Sequence, residues 1–171
     1  MPNWCECDLY VEGKNEDVAG FLEFLGEGFD FNRFIPYPER YRALDEEARR
    51  WDEQRKVDPE NCGPRPRDGF NQGGYEWCVG NWGTKWNARD VSVPDLSADG
   101  SGPNVPEVEI NFRTAWSPPL PVILAASKRF PKLAFTLVYF ECGREFNGRF
   151  YCEAGRVASH ESGPYFGGRG G

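Results

Sequence analysis

At 171 residues, with 39% hydrophobic and 15% aromatic residues, the chain is long enough to bury a core of its own, and its aromatic content offsets 20 glycines and 14 prolines that alone would point to disorder. A formal charge of −7 weighs against a general duplex binder, which needs a basic surface to release counterions. The charge is uneven, since residues 1–60 carry 16 acids against 8 bases and residues 101–171 carry 6 against 8. Such an acidic surface suits solubility or a basic partner.

In chain order, Trp4 to Val11 alternates as a strand does, and residues 13–15 turn the chain. Asn15 is a candidate N-cap with Glu16 and Asp17 in the first turn; Val18, Phe21, Leu22 and Leu25 then recur at helical spacing until Gly26 and Gly28. Phe29 to Ile35 reads as a second strand, closed by Pro36-Tyr37-Pro38. From Glu39 to Lys56 the pattern predicts a highly charged helix with a narrow apolar stripe of Tyr41, Leu44, Ala48 and Trp51. Asp45 with Arg49, Glu46 with Arg50 and Asp52 with Lys56 are acid-before-base pairs at i, i+4, each worth ~0.3 kcal/mol to the helix.

Asp58 to Asn71 is a loop dense in proline and glycine. The next stretch, Gly73 to Asp90, holds Trp77, Trp82 and Trp86, three of the six tryptophans. Val91 to Pro94 is expected to form a short strand and Asp95 to Pro106 a loop. Val108 to Thr114 alternates cleanly, and Ser117 can cap a helix over Leu120 to Phe130 whose first turn tolerates Pro118 and Pro119. Leu133 to Glu141 is the most strand-like run, and a turn over residues 143–148 leads into Arg149 to Glu153 as a hairpin. Residues 161–171 are expected to be a flexible Gly-rich tail.

The order β, α, β, insertion, β, α, β, β predicts an α+β sandwich: a mainly antiparallel sheet with helices on one face, formed by a single domain over residues 1–160 with an insertion at about 37–72. No basic segment leads into an apolar run within residues 1–25, and no window approaches the ~18 apolar residues of a membrane span, so the expected setting is a reducing cytoplasm without membrane contact. There the six cysteines are expected to be free thiols. Cys5 and Cys7 share one strand face, the other four are scattered, no pair has zinc-knuckle spacing, and His160 is the single histidine; neither metal nor cofactor is expected.

Met1-Pro2-Asn3-Trp4-Cys5, Trp82-Gly83-Thr84-Lys85-Trp86 and Thr114-Ala115-Trp116-Ser117-Pro118-Pro119 together resemble the YubB-like, ferredoxin-fold family of phage and plasmid proteins. The resemblance implies a ferredoxin-like core from Met1 to about Gly148 and a mobile-element habitat, and it implies no activity, because none is assigned to that family. Cys7 stands where the family pattern has Asn, and residues 39–71 have no counterpart in it.

For function, the sequence lacks a Gly-x-Ser-x-Gly elbow, a Walker loop and a His-rich pattern, so a catalytic reading would have to use Glu76 or Asp90 with Lys85; a non-enzymatic protein is expected. Binding offers two versions. In the first, a basic host or phage protein that handles nucleic acid is occupied and inhibited, with Tyr41, Trp51, Tyr75 and Trp77 as aromatic anchors and Asp45, Glu46, Glu47, Asp52 and Glu53 steering the encounter. In the second, which the net charge disfavours, Trp82 and Trp86 stack on single-stranded bases while Lys85 and Arg89 meet phosphates. The alternative for the tryptophans is that Trp82 and Trp86 pack into the sheet while Gly83 and Asn87 shape turns.

Overall fold

Alternation along the first strand, β1 (Trp4–Glu12), decides the architecture. Cys5, Cys7, Leu9 and Val11 point to one face and are buried, while Glu6, Asp8 and Tyr10 point to the other. In the computed structural model, which describes residues 3–94 and 107–164, five more strands flank β1: β2 (Arg89–Ser92), β3 (Glu107–Ala115), β4 (Ala134–Glu141), β5 (Phe146–Glu153) and β6 (Arg156–Pro164). They form one sheet in the order β2-β3-β1-β4-β5-β6, with every neighbouring pair antiparallel. The register sets Cys7 opposite Phe112 and Tyr139, and Leu9 opposite Ile110 and Leu137, so the apolar set falls on a single face.

That face is covered by α1 (Asn15–Leu25), through Val18, Phe21 and Leu25, and by α4 (Leu120–Arg129), through Val122, Ile123 and Ala126. Phe21 meets Phe135 edge-on at 5.5 Å, and the Cys152 thiol reaches the Ile123 carbonyl. The chain is therefore an α+β protein with helices on one face of an antiparallel sheet, as the sequence order predicts, and of the ferredoxin-like type that the family resemblance implies. Two further helices, α2 (Glu39–Val57) and α3 (Gly74–Trp82), lie between α1 and β2. Among the described residues no helix is long and apolar enough to cross a membrane, no group of three or more His, Cys, Asp or Glu side chains is placed to hold a metal ion, and all six cysteines are free.

Several local expectations are corrected. Phe29 to Ile35 is not a strand but a run into a 3-10 turn at Phe31–Arg33. Its backbone donors are taken by side chains, Asn32 N–H by the Asp30 carboxylate at 2.9 Å and Phe31 N–H by Asn87 Oδ1 at 3.0 Å, while Phe29 and Phe31 pack on Phe112. Asn15 lies inside α1 rather than capping it, the cap position being Lys14. Ser117 does not cap α4, because its hydroxyl donates instead to the Gly83 carbonyl at 2.7 Å. The short strand begins two residues earlier than Val91, at Arg89, with Asp90 at φ +50 forming an irregularity.

The tail expectation also changes. Residues 161–164 belong to β6, an exposed edge strand that pairs with β5 alone and carries no apolar alternation to announce it. The remainder of that expected tail, the loop expected at 95–106 and the first two residues of the Met1 motif lie outside the described residues.

Candidate functional site

The three sequence motifs converge on one corner of the sheet. Gly83, at φ +78, ends α3 and brings the chain so close to Pro118 and Pro121 that a side chain there would collide with the Pro121 ring. Thr84 is then fully buried, and its hydroxyl donates to the Ala115 carbonyl at 2.8 Å. Thr114 donates to the Ser117 carbonyl, Ser117 donates to Gly83, and the Trp116 amide donates to the Asn3 carbonyl. These bonds stitch the end of α3 to the β3–α4 connection and to the start of β1. They also hold Trp116 at φ +71, a left-handed conformation that a bulky residue adopts only under such constraint.

The lysine of the motif completes the corner. Lys85 Nζ lies 4.2 Å from the Trp86 ring centre and 4.4 Å from that of Trp116, and Trp4 approaches Trp86 at 6.4 Å. Lys85, Trp86, Trp4 and Trp116 are all part-exposed. Trp4 and Trp116 are members of this cluster that the sequence reasoning did not select as site residues, although both sit inside the quoted motifs. Trp82 goes elsewhere: it is 4% exposed, donates its indole N–H to the Ile35 carbonyl at 2.8 Å and packs against Phe31, Tyr37 and Trp77. It is a core residue and presents no stacking platform. Arg89 is exposed on β2 opposite Arg113, which pairs with Asp90 at 3.4 Å; Glu76 is exposed on α3.

The charged helix α2 and residues 58–72 fold onto each other as an arm. Only Ala48 of α2 is fully buried. Arg65 makes a two-pronged bond to Asp52, both contacts at 2.9 Å, and a third to Asp68 at 3.1 Å. Trp51 donates its indole N–H to the Gly63 carbonyl, and Arg55 lies over its ring. The Tyr41 backbone runs against Gly69 so closely that any Cβ there would overlap it, and Asp45 Oδ1 accepts the Phe70 amide at 2.8 Å.

The nine residues expected to form a partner surface therefore separate into two groups. Tyr41, Asp45, Trp51 and Asp52 hold the arm together, Tyr75 packs on Phe70, and Trp77 packs on Tyr37 and Trp82. Glu46, Glu47 and Glu53 remain exposed to solvent. The helix carries six acids and six bases between Glu39 and Val57, so the acidity of the first 60 residues does not come from α2.

Electrostatics follow from these contacts. The hydrogen bonds and charge of Arg65 hold the Asp52 carboxyl below its ordinary range, and the bonds to Asp52 and Asp68 in turn raise the guanidinium's pKa. Asp68 is also lowered, mainly by the Asn71 amide and further by Asn71's side chain and Arg65. Partial burial pushes Asp30 up, but hydrogen bonds from Asn32 and Asn87 outweigh it and hold that carboxyl low.

Where arm and corner meet, a cleft of about 160 Å³ opens between Tyr37, Asp45, Phe70, Trp82, Lys85 and Trp86. Burial, followed by the nearby Asp45 charge, raises the Tyr37 hydroxyl and pushes the Cys78 thiol up to about 12. A thiol so held is protonated at neutral pH and is no nucleophile.

Residues 81–165 match the family model described as the ferredoxin-like domain in Api92-like protein. Among solved structures, the chain is similar to the crystal structure of a protein Api92 from Yersinia pseudotuberculosis, with a TM-score of 0.58 and 11% identity over 98% of this chain and 99% of that one. At that identity the likeness is one of fold. No curated protein matches the sequence. The matched span runs from the end of α3 through β6 and contains the lysine, Trp86 and Trp116 of the corner: over residues 81–165 the chain is similar to the ferredoxin-like domain of Api92-like proteins.

Proposed function

We propose that this chain is a non-enzymatic binding protein of the phage and plasmid kind, as its YubB-like motifs suggest, that works in the cytoplasm by occupying a basic, nucleic-acid-handling protein and inhibiting it. The observation that carries this reading is the arm. Its side-chain bonds, Arg65 with Asp52 and Asp68, Trp51 with Gly63 and Asp45 with Phe70, fix its shape before any partner arrives. A surface ordered in advance loses little entropy on binding. Glu46, Glu47 and Glu53 are left free to meet basic groups.

The test uses the triple variant Glu46→Gln, Glu47→Gln, Glu53→Gln, none of which touches the arm's internal bonds. Its association rate with the captured partner should fall severalfold at low salt and converge with wild type at high salt. An unchanged rate and salt dependence would remove the acidic face from the proposal.

The part-exposed corner favours a second reading, single-stranded nucleic-acid binding, in which Trp86, Trp4 and Trp116 offer indole faces beside Lys85, with Arg89 on the neighbouring strand. Salt-sensitive oligonucleotide binding that is lost in Trp86→Ala would support it, and no measurable binding at low salt would exclude it.

A further inference from the structure

The cleft between the arm and the corner has unmet chemistry of one kind. The Tyr37 hydroxyl is shielded from solvent and lies beside the Asp45 carboxylate, with no hydrogen bond of good geometry among the described residues. Asp45 uses Oδ1 for the Phe70 amide, and among the described residues no cation lies within ion-pair distance of its carboxylate. Elsewhere in the chain Asp52 and Asp68 share Arg65, Asp17 has Lys132, and Asp90 has Arg113. Phe70, Trp82 and Trp86 are among its lining residues, Trp86 being the more exposed of the two tryptophans. Lys85 borders the same cleft, but its ammonium is held by Trp86 and Trp116 and not by Asp45.

What is missing is therefore a cation, rich in donors and flat enough to lie between aromatic faces. A guanidinium has five N–H donors in a plane, stacks on indoles and pairs with a carboxylate more specifically than an ammonium does. A nucleobase would also stack, but its phosphate would meet a chain of charge −7, and the unpaired charge that the arm contributes to the cleft is negative. A volume of about 160 Å³ suits the end of one side chain and not a folded segment.

We propose that this cleft is an arginine-accepting pocket, in which an arginine side chain of the basic partner lies against Trp86 and donates to Asp45 and Tyr37. It rests on the reading of the chain as a binder of a basic protein, and it names the anchor of that interface at the arm's inner end, away from the exposed glutamates.

The experiment titrates the ¹⁵N-labelled full chain with N-acetyl-arginine methylamide and follows the Trp82 and Trp86 indole N–H signals and the Phe70 amide. A saturable shift of these signals is expected, at least tenfold weaker with the citrulline analogue, which keeps the shape and lacks the charge. Asp45→Asn, whose amide oxygen can still accept the Phe70 N–H, should weaken binding at least tenfold. Should that variant not fold, Tyr37→Phe removes one acceptor and should weaken it severalfold.

No saturable shift, equal binding of the citrulline analogue, or shifts at these signals with guanosine monophosphate and not with arginine would each overturn the pocket. Failure of the pocket is distinguishable from failure of the binding reading. The amino-acid probe needs no partner, so arginine binding that survives while no partner is captured retains the pocket and discards the inhibitor. A captured partner whose binding is indifferent to Asp45→Asn does the reverse.

Discussion

Thr84, fully buried in the turn after α3, donates its hydroxyl to the Ala115 carbonyl at the end of β3, across 31 positions of sequence. This single bond joins two of the three motifs, and it has little room for substitution. Thr84→Val keeps the shape and removes the donor, leaving a buried carbonyl short of a partner, and should cost ~1–3 kcal/mol in urea unfolding. Thr84→Ser, which keeps the hydroxyl, should lose less.

Lys85 is held by two indoles rather than by a carboxylate. Replacing it with methionine should lower stability by ~0.5–2 kcal/mol, change tryptophan emission, and do so almost equally at low and high salt. A loss that disappears in high salt would mean that a long-range charge, and not contact with Trp86 and Trp116, is what matters.

The arm should be separable from the sheet. Gly69→Ala places a Cβ on the Tyr41 backbone, a clash that no rotamer can relieve. Amide hydrogen exchange in α2 and residues 58–72 should then accelerate by an order of magnitude or more, while β1, β3 and β4 keep wild-type protection. Uniform acceleration across the sheet would show that the arm and the core unfold as one unit.

Acid should loosen the same arm. Asp52 is held low chiefly by Arg65, and Asp68 chiefly by the Asn71 amide. A carboxyl whose folded pKa is depressed contributes stability that is fully present above its unfolded pKa, ~3.9, and is lost as pH falls through the folded value. Protection of residues 58–72, taken relative to the intrinsic amide rate at each pH, should therefore fall below about pH 4, and Arg65→Gln should lower it at neutral pH while flattening that dependence. A wild-type profile flat down to the folded pKa would show that these pairs contribute nothing to arm closure.

The elements that the sequence displayed were those whose side chains alternate or recur against a core. β1, β3 and β4 were legible from period-two burial, and α1, α2 and α4 from helical spacing. Phe29 to Ile35 misled because its aromatics do face the core, while Asp30 and Asn32 within the run, and Asn87 far along the chain, take over the backbone donors. The helix α3 was hidden by its glycines, although Gly74, Cys78 and Trp82 at steps of four mark its buried face. Main-chain pairing with β5 and the single His160 ring, set against Tyr139 and Phe150, hold β6, so its residues carry no periodic signal. At the site, Lys85 and Trp86 were legible as a motif, but their union with Trp4 and Trp116 is a product of sheet register, which no local pattern reveals.

The central claim is that the chain binds a basic protein. It is tested most directly by affinity capture of the tagged full chain from a lysate of its own host, with and without nuclease, followed by mass spectrometry and repeated with the Glu46→Gln, Glu47→Gln, Glu53→Gln variant. The expected result is one stoichiometric protein with a basic surface that survives nuclease and is depleted by the variant. Recovery only while nucleic acid is intact, or a partner indifferent to the three glutamates, would contradict it.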